Sequence, residues 1–296
     1  MAETEAESAA SRTLPVVCVV GAGTMGAGIA QVAALAGCQT RLVDVSAEAA
    51  ARGFGRIREQ LDEGVARGKI PAAVRDAALA RIRLEAALGG AVGDADLVVE
   101  AVPERFELKA KVFAELDALA RSDALLASNT SSLSITALQR GVARPERIVG
   151  LHFFNPVHVM RLVEVVRGEQ SAGAAVERAV EAARLFGKEP IVVKDSPGFA
   201  SSRLGVALGL EAMRMVEEGV ASPQDIDTAM ELGYRHPMGP LRLSDLIGLD
   251  VRLAIAEHLH EALGDERFRP PALLRRMVAE GRLGKKSGQG FYRWEE

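Results

Sequence analysis

The chain has 296 residues, 48% of them hydrophobic and 26% charged, with a formal net charge of −4. Those proportions fit a globular protein of about two domains, able to bury roughly three quarters of its unfolded surface without covalent staples. An acidic balance argues against nucleic acid as the principal partner. No apolar run approaches the ~20 residues of a membrane span.

Residues 1–14 begin Met1-Ala2-Glu3 and are small and acidic, without a basic start or an apolar core. They read as a disordered tail rather than a signal peptide, which points to a cytoplasmic location. The two cysteines, Cys18 and Cys38, lie in apolar segments and are expected as buried, reduced thiols. The five histidines show no ligand spacing, so no metal site is expected.

Order is predicted from Pro15. Val16–Val20 is a β-branched run suited to a buried parallel strand, and Gly21-Ala22-Gly23 ends it. Met25 to Ala36 reads as a helix closed by Gly37, and Leu42-Val43 carries a second strand to Asp44. Ser46 to about Glu85 reads as two charged helices broken at Gly68-Lys69-Ile70-Pro71, a pair expected to project from the sheet toward substrate. Further strands are expected at Leu97–Val102, Leu125–Ser128, Ile148–His152, Leu162–Val166 and Ile191–Val193, with helices at Phe106–Leu119 and Ala174–Phe186. Alternation of this kind makes an α/β domain over residues 15–196, a mostly parallel sheet covered on both faces.

Beyond Asp195-Ser196-Pro197-Gly198 only helical periodicity remains, in Arg203–Glu218, Pro223–Leu232, Pro240–Leu263 and Pro271–Glu280. Residues 197–296 are therefore expected to form an all-α domain.

Gly21-Ala22-Gly23-Thr24-Met25-Gly26 matches G-x-G-x-x-G, a weak pattern alone. Here it joins a strand to a helix, and Asp44 closes the next strand about 20 residues later. Gly21 permits the tight turn, Gly23 lets a pyrophosphate approach the backbone, and Gly26 lets helix and strand pack. The helix start at Thr24 and Met25 offers unbonded N–H groups to phosphate. Asp44 suits ribose hydroxyls and repels a 2′-phosphate, which favours NAD over NADP.

Ligands of open parallel sheets gather at the carboxyl ends of strands. Ser128-Asn129-Thr130-Ser131-Ser132, His152-Phe153-Phe154-Asn155-Pro156 and Glu164 all lie at or near such ends. Glu164 stands inside Leu162-Val163-Glu164-Val165-Val166, where an unpaired buried carboxylate is costly. It needs a partner, for which His152 is the candidate, or an exposed edge. Taken alone, His152 and Glu164 read first as a satisfied core histidine and a surface glutamate. Ser131, taken alone, reads first as the cap of a short helix starting near Ile135.

These segments, with VVEAVPE, KDSPGF, HPMGPLRLSDLIGLD and GKKSGQGFY, resemble the 3-hydroxyacyl-CoA dehydrogenase family in order from about residue 15 to 293. The resemblance implies a Rossmann-type NAD domain, then an all-helical domain through which two copies pair as a homodimer, and an acyl-CoA substrate. It implies His152 as general base, Glu164 as its partner and Ser131 on the substrate oxygen. Glu104, Lys109, Asn155 and Lys286 join Asp44 as implied cofactor contacts. Ser202 stands where the family has an asparagine of the substrate pocket, so an altered pocket is expected. Arg67 and Gln60 fall at the implied CoA contacts, while Arg56 and Lys69 read rather as a solvated helix face. Two other readings stay open: a sugar-acid dehydrogenase of the lambda-crystallin type that needs no CoA, and a non-catalytic NAD-binding paralogue.

Overall fold

The β-branched run Val16–Val20 forms β1, an inner strand of an eight-stranded sheet. The computed structural model describes residues 15–295, so the tail expected over 1–14 lies outside the described residues. Two compact units divide the chain, one ending at Asp195 and the other beginning at Ser196.

In the first unit β1 is followed by β2 (Gln39–Val43), β3 (Ile82–Glu85), β4 (Leu97–Glu100), β5 (Leu125–Ser128), β6 (Ile148–Phe153), β7 (Leu162–Arg167) and β8 (Glu189–Lys194). Their order is β3-β2-β1-β4-β5-β6-β7-β8, and every neighbouring pair is parallel except β6–β7. The helices are α1 (Thr24–Leu35), α2 (Ala47–Ala66), α3 (Ala72–Ala80), α4 (Leu88–Val92), α5 (Phe106–Leu119), α6 (Ile135–Gln139) and α7 (Gly173–Leu185). Side chains alternate across each strand, and this period of two separates the core from the chemistry. Val17, Val19, Leu97, Val99, Ala127, Leu151, Phe153, Val163 and Val165 pack with Ile29 of α1, Ile57 of α2 and Ala179 of α7. Glu100, Ser128, His152 and Glu164 hold the alternate positions and point to the other face.

Two expectations for residues 46–85 are corrected. The segment is not helical throughout: Ile82–Glu85 pairs in parallel with β2 as the sheet's edge strand. Only Ile82 of β3 is fully buried, and the charges of Arg83 and Glu85 are those of an edge that must not pair further. Nor do the helices simply project. Ala50, Gly53, Ile57 and Leu61 bury one stripe of α2, and Ile57, Leu61 and Ala78 belong to the sheet's core. A Cβ on Gly53 would stand 2.7 Å from the backbone oxygen of Ala22, so α2 lies directly on the glycine turn.

The second unit contains α8 (Ser201–Glu217), α9 (Pro223–Gly233), α10 (Pro240–Ile247), α11 (Leu249–Leu263) and α12 (Ala272–Ala279). The single helix expected over Pro240–Leu263 is broken at Gly248, whose φ of 108° no helix accommodates. Val206, Leu210, Met213, Leu241, Leu259 and Phe268 make its core. Two carboxylates fasten its C-terminal segment. Asp245 accepts from the Phe291 and Tyr292 amides, at 2.9 Å each, and from Trp294 Nε1 at 3.0 Å. Asp227 accepts from the Leu241 and Arg242 amides at the start of α10 and from the Tyr292 hydroxyl at 2.7 Å.

Candidate active site

The glycine turn has the shape that a dinucleotide requires. Gly21 has φ +100°, and a Cβ there would stand 2.7 Å from the Ala101 oxygen. A Cβ on Gly26 would lie 1.7 Å from the Gly21 oxygen, so only glycine allows α1 to start where it does. Around Gly23 a Cβ would meet nothing within 4 Å. The turn is thus closed on the protein side and open at Gly23, where Thr24 and Met25 begin α1 and no side chain caps its amides. Those amides and the positive end of the helix suit a pyrophosphate.

Asp44, at the carboxyl end of β2, accepts the Ala22 amide at 2.6 Å and the Val45 amide at 2.7 Å. Arg56 does not belong to a solvated face. Its Nη2 donates to the Ala22 oxygen, and its Nε is buried without a partner.

His152 and Glu164 stand directly opposite each other on the antiparallel strands β6 and β7. His152 Nδ1 lies 2.7 Å from Glu164 Oε2, with the two side chains 8% and 0% exposed. The buried carboxylate thus has a partner, and the strand that carries it is internal. Because β7 runs against β6, the pair forms across one rung rather than along one strand. Phe154 lies over the imidazole, ring centroids 4.4 Å apart. Asn129 fastens the histidine's strand: its Oδ1 accepts the Phe153 amide at 2.9 Å, and its own amide donates to Glu100 O at 2.8 Å.

Ser131 is not a helix cap. Ser134 caps α6, accepting the Ala137 amide at 3.1 Å. Ser131 belongs instead to a turn gathered around Glu104. Oε1 of Glu104 accepts from Thr130 Oγ1 at 2.6 Å, from the Ser131 amide at 2.9 Å and from Ser131 Oγ at 3.2 Å. Burial raises the Glu104 carboxyl, but the Thr130 hydroxyl, the Lys109 ammonium and the Ser131 amide together hold it below the usual range.

Lys109 is 1% exposed and directs its ammonium to Glu100 Oε1 at 2.7 Å, Val102 O at 3.1 Å and Glu104 Oε2 at 3.3 Å. All three N–H directions therefore meet protein acceptors. Glu100 also accepts from Ser128 Oγ at 2.6 Å and from the Val102 amide at 2.7 Å. Sequence reasoning passed over Glu100, although it sits in Leu97-Val98-Val99-Glu100 much as Glu164 sits in its own strand.

The remaining expected contacts are exposed or belong to the other unit. Asn155 is exposed just beyond β6, Gln60 is exposed on α2, and Arg67 at the end of α2 pairs with Glu63. In the second unit Ser202 is half-buried in the first turn of α8, and Lys286 donates to Asp250 Oδ2 at 2.6 Å.

A dinucleotide turn on a mostly parallel sheet, with a buried histidine–carboxylate couple near the strand ends, is the frame of a nucleotide-dependent oxidoreductase. The family model for the NAD binding domain of 3-hydroxyacyl-CoA dehydrogenase matches residues 16–196, and that for the C-terminal domain matches residues 198–294. The chain belongs to the 3-hydroxyacyl-CoA dehydrogenase family, NAD-dependent oxidoreductases. It is 46% identical over 280 residues to the probable 3-hydroxybutyryl-CoA dehydrogenase of Bacillus subtilis, covering 95% of this chain and 97% of that one. It is also 46% identical over 279 residues to the 3-hydroxyadipyl-CoA dehydrogenase of Escherichia coli, covering 94% of this chain and 58% of that longer protein. The crystal structure of (S)-3-hydroxybutyryl-CoA dehydrogenase from Ralstonia eutropha superposes with a TM-score of 0.91 at 41% identity, covering 96% of this chain and all of that one.

Proposed function

We propose that the chain interconverts a short-chain 3-hydroxyacyl-CoA and its 3-ketoacyl-CoA, with His152 as general acid and base. The observation that carries this reading is the buried 2.7 Å contact between His152 Nδ1 and Glu164. With Nδ1 committed to the carboxylate, Nε2 is the atom that exchanges the proton of the 3-hydroxyl. Glu164 fixes the tautomer and stabilises the imidazolium formed when the proton arrives. Bound NAD supplies the acceptor, and in reverse the donor, of the hydride.

Gly21, Gly23, Thr24, Met25, Gly26 and Asp44 would hold the cofactor, on the fit described above. Glu104 frames the turn beside it, and Lys109 acts through Glu100 and Glu104. Ser131 steadies the substrate oxygen; its 3.2 Å bond to Glu104 is long, so turning the hydroxyl toward substrate costs about 1 kcal/mol or less. Asn155 and Lys286 as cofactor contacts, and Arg67 and Gln60 as CoA contacts, rest on the family resemblance, as does a pocket altered by Ser202. A short acyl chain is supported by the names of the Bacillus and Ralstonia relatives, though the E. coli relative is named for a dicarboxylic one. A homodimer formed through the helical unit completes the reading. So does a cytoplasmic location, supported by the free, buried Cys18 and Cys38.

The test is NADH oxidation with acetoacetyl-CoA, beside free acetoacetate, NADPH, and gulonate with NAD. Saturable turnover that requires the thioester is the expected result. Turnover of gulonate, or none despite NAD binding, would replace it with the sugar-acid or the non-catalytic reading.

A further inference from the structure

Arg252 of α11 lies inside the helical unit with 5% of its surface exposed. Its Nε is sealed from solvent and has no hydrogen-bond partner. Burial alone pushes the guanidinium down to about 10, with no carboxylate acting to restore it. Among the described residues, then, this charge is buried without a counter-ion. Such a charge costs several kcal/mol relative to a paired or solvated one. A methionine or leucine would fill the same volume without that cost.

Two glycines of α8 lie against it. A Cβ on Gly205 of α8 would stand 3.5 Å from Nη1 and 4.0 Å from Nη2. One on Gly209 would stand 3.9 Å from Nε and 4.0 Å from Cζ. Four residues apart, the two glycines leave one stripe of α8 bare where the guanidinium lies. Ser244 borders the same place, its Oγ 3.2 Å from a Cβ on Gly209.

We propose that Arg252 anchors an anion site within the helical unit, and that its occupant is a carboxylate. A guanidinium presents two parallel N–H donors that match the two oxygens of a carboxylate. One cation with no second basic partner balances one negative charge, whereas a phosphate dianion would remain half uncompensated. The source is a free carboxylic acid.

The experiment compares melting temperatures of the full chain, Arg252→Met and Arg252→Lys in buffer titrated with sodium acetate or succinate against sodium chloride of equal ionic strength. In the parent chain carboxylate is expected to raise the melting temperature saturably and beyond chloride. Arg252→Met is expected to be at least as stable without carboxylate and to lose the response. Arg252→Lys keeps the charge without the fork, and its half-saturation is expected to rise at least tenfold. No response beyond chloride in the parent overturns the site, as does an equal response in either variant. Should Arg252→Met not fold, Arg252→Lys carries the test.

Because the melts need no turnover, failure of the site and failure of the acyl-CoA reading are distinguishable.

Discussion

At the residue scale the proposed reaction turns on one cross-strand pair. Replacing His152 by Gln keeps a polar side chain of similar reach but removes a base that can cycle its proton. Turnover of acetoacetyl-CoA is expected to fall by about 10²–10⁴. NADH affinity, measured by fluorescence titration, should stay within about twofold, because the glycine turn and Asp44 lie on other strands. Turnover near the parent value would remove His152 from the mechanism. This pair was legible because a carboxylate in an apolar strand demands a partner. Glu100 made the same demand in the sequence and has a less visible answer, since Lys109 reaches it from one helix on. The cap reading that Ser131 invites in isolation fails because a serine four residues before a helix and one immediately before it look alike until the turn is seen. Glu104, which gathers that turn, is 27 residues away in the chain.

At the scale of elements, a buried ion pair links helix to sheet beside the apolar packing. The Lys109–Glu100 pair ties α5 to β4 at 2.7 Å, with both side chains at or below 1% exposure. Lys109→Met leaves Glu100 buried and unpaired, and is expected to cost about 3–5 kcal/mol in denaturant unfolding. Lys109→Met combined with Glu100→Gln should recover much of that loss. If the single variant cost under 1 kcal/mol, Lys109 would be a cofactor contact rather than a structural tie. Glu104 supplies a pH-dependent counterpart. Its carboxyl is held below the usual 4.5 in the folded chain, so its stabilising contribution is present above that value and is lost as the pH falls through the folded value. The melting temperature of Glu104→Gln should therefore decline less steeply below pH 4.5 than that of the parent. Equal acid limbs would show that Thr130–Ser132 is held by other groups. Seven of the eight strands were legible as β-branched runs alternating with helices, whereas their order and the β3 strand were not. Ile82-Arg83-Leu84-Glu85 follows a helix without a proline or glycine, and only its pairing with β2 reveals it.

For the whole molecule, the apolar side chains left on the helical unit bear on assembly. Leu204 of α8 is 71% exposed and Leu232 of α9 is 79% exposed, and Leu246, Ile247 and Val251 add apolar surface around the α10–α11 break. Scattered exposed leucines are ordinary on a monomer, so exposure alone does not decide the matter. A charge introduced at one of them does. On a monomer Leu204→Glu meets only water and should change stability by no more than about 0.5 kcal/mol. In an isologous interface the same residue meets its symmetry mate's surface, and each substitution is applied twice. Light scattering of the parent is expected to give twice the chain mass of 31.4 kDa, and Leu204→Glu to shift the population toward one chain mass on dilution. A parent that stays at one chain mass at every concentration would sink the dimer outright. A dimer untouched by Leu204→Glu would move the interface away from α8, toward Leu232 and Tyr234 at the far end of α9.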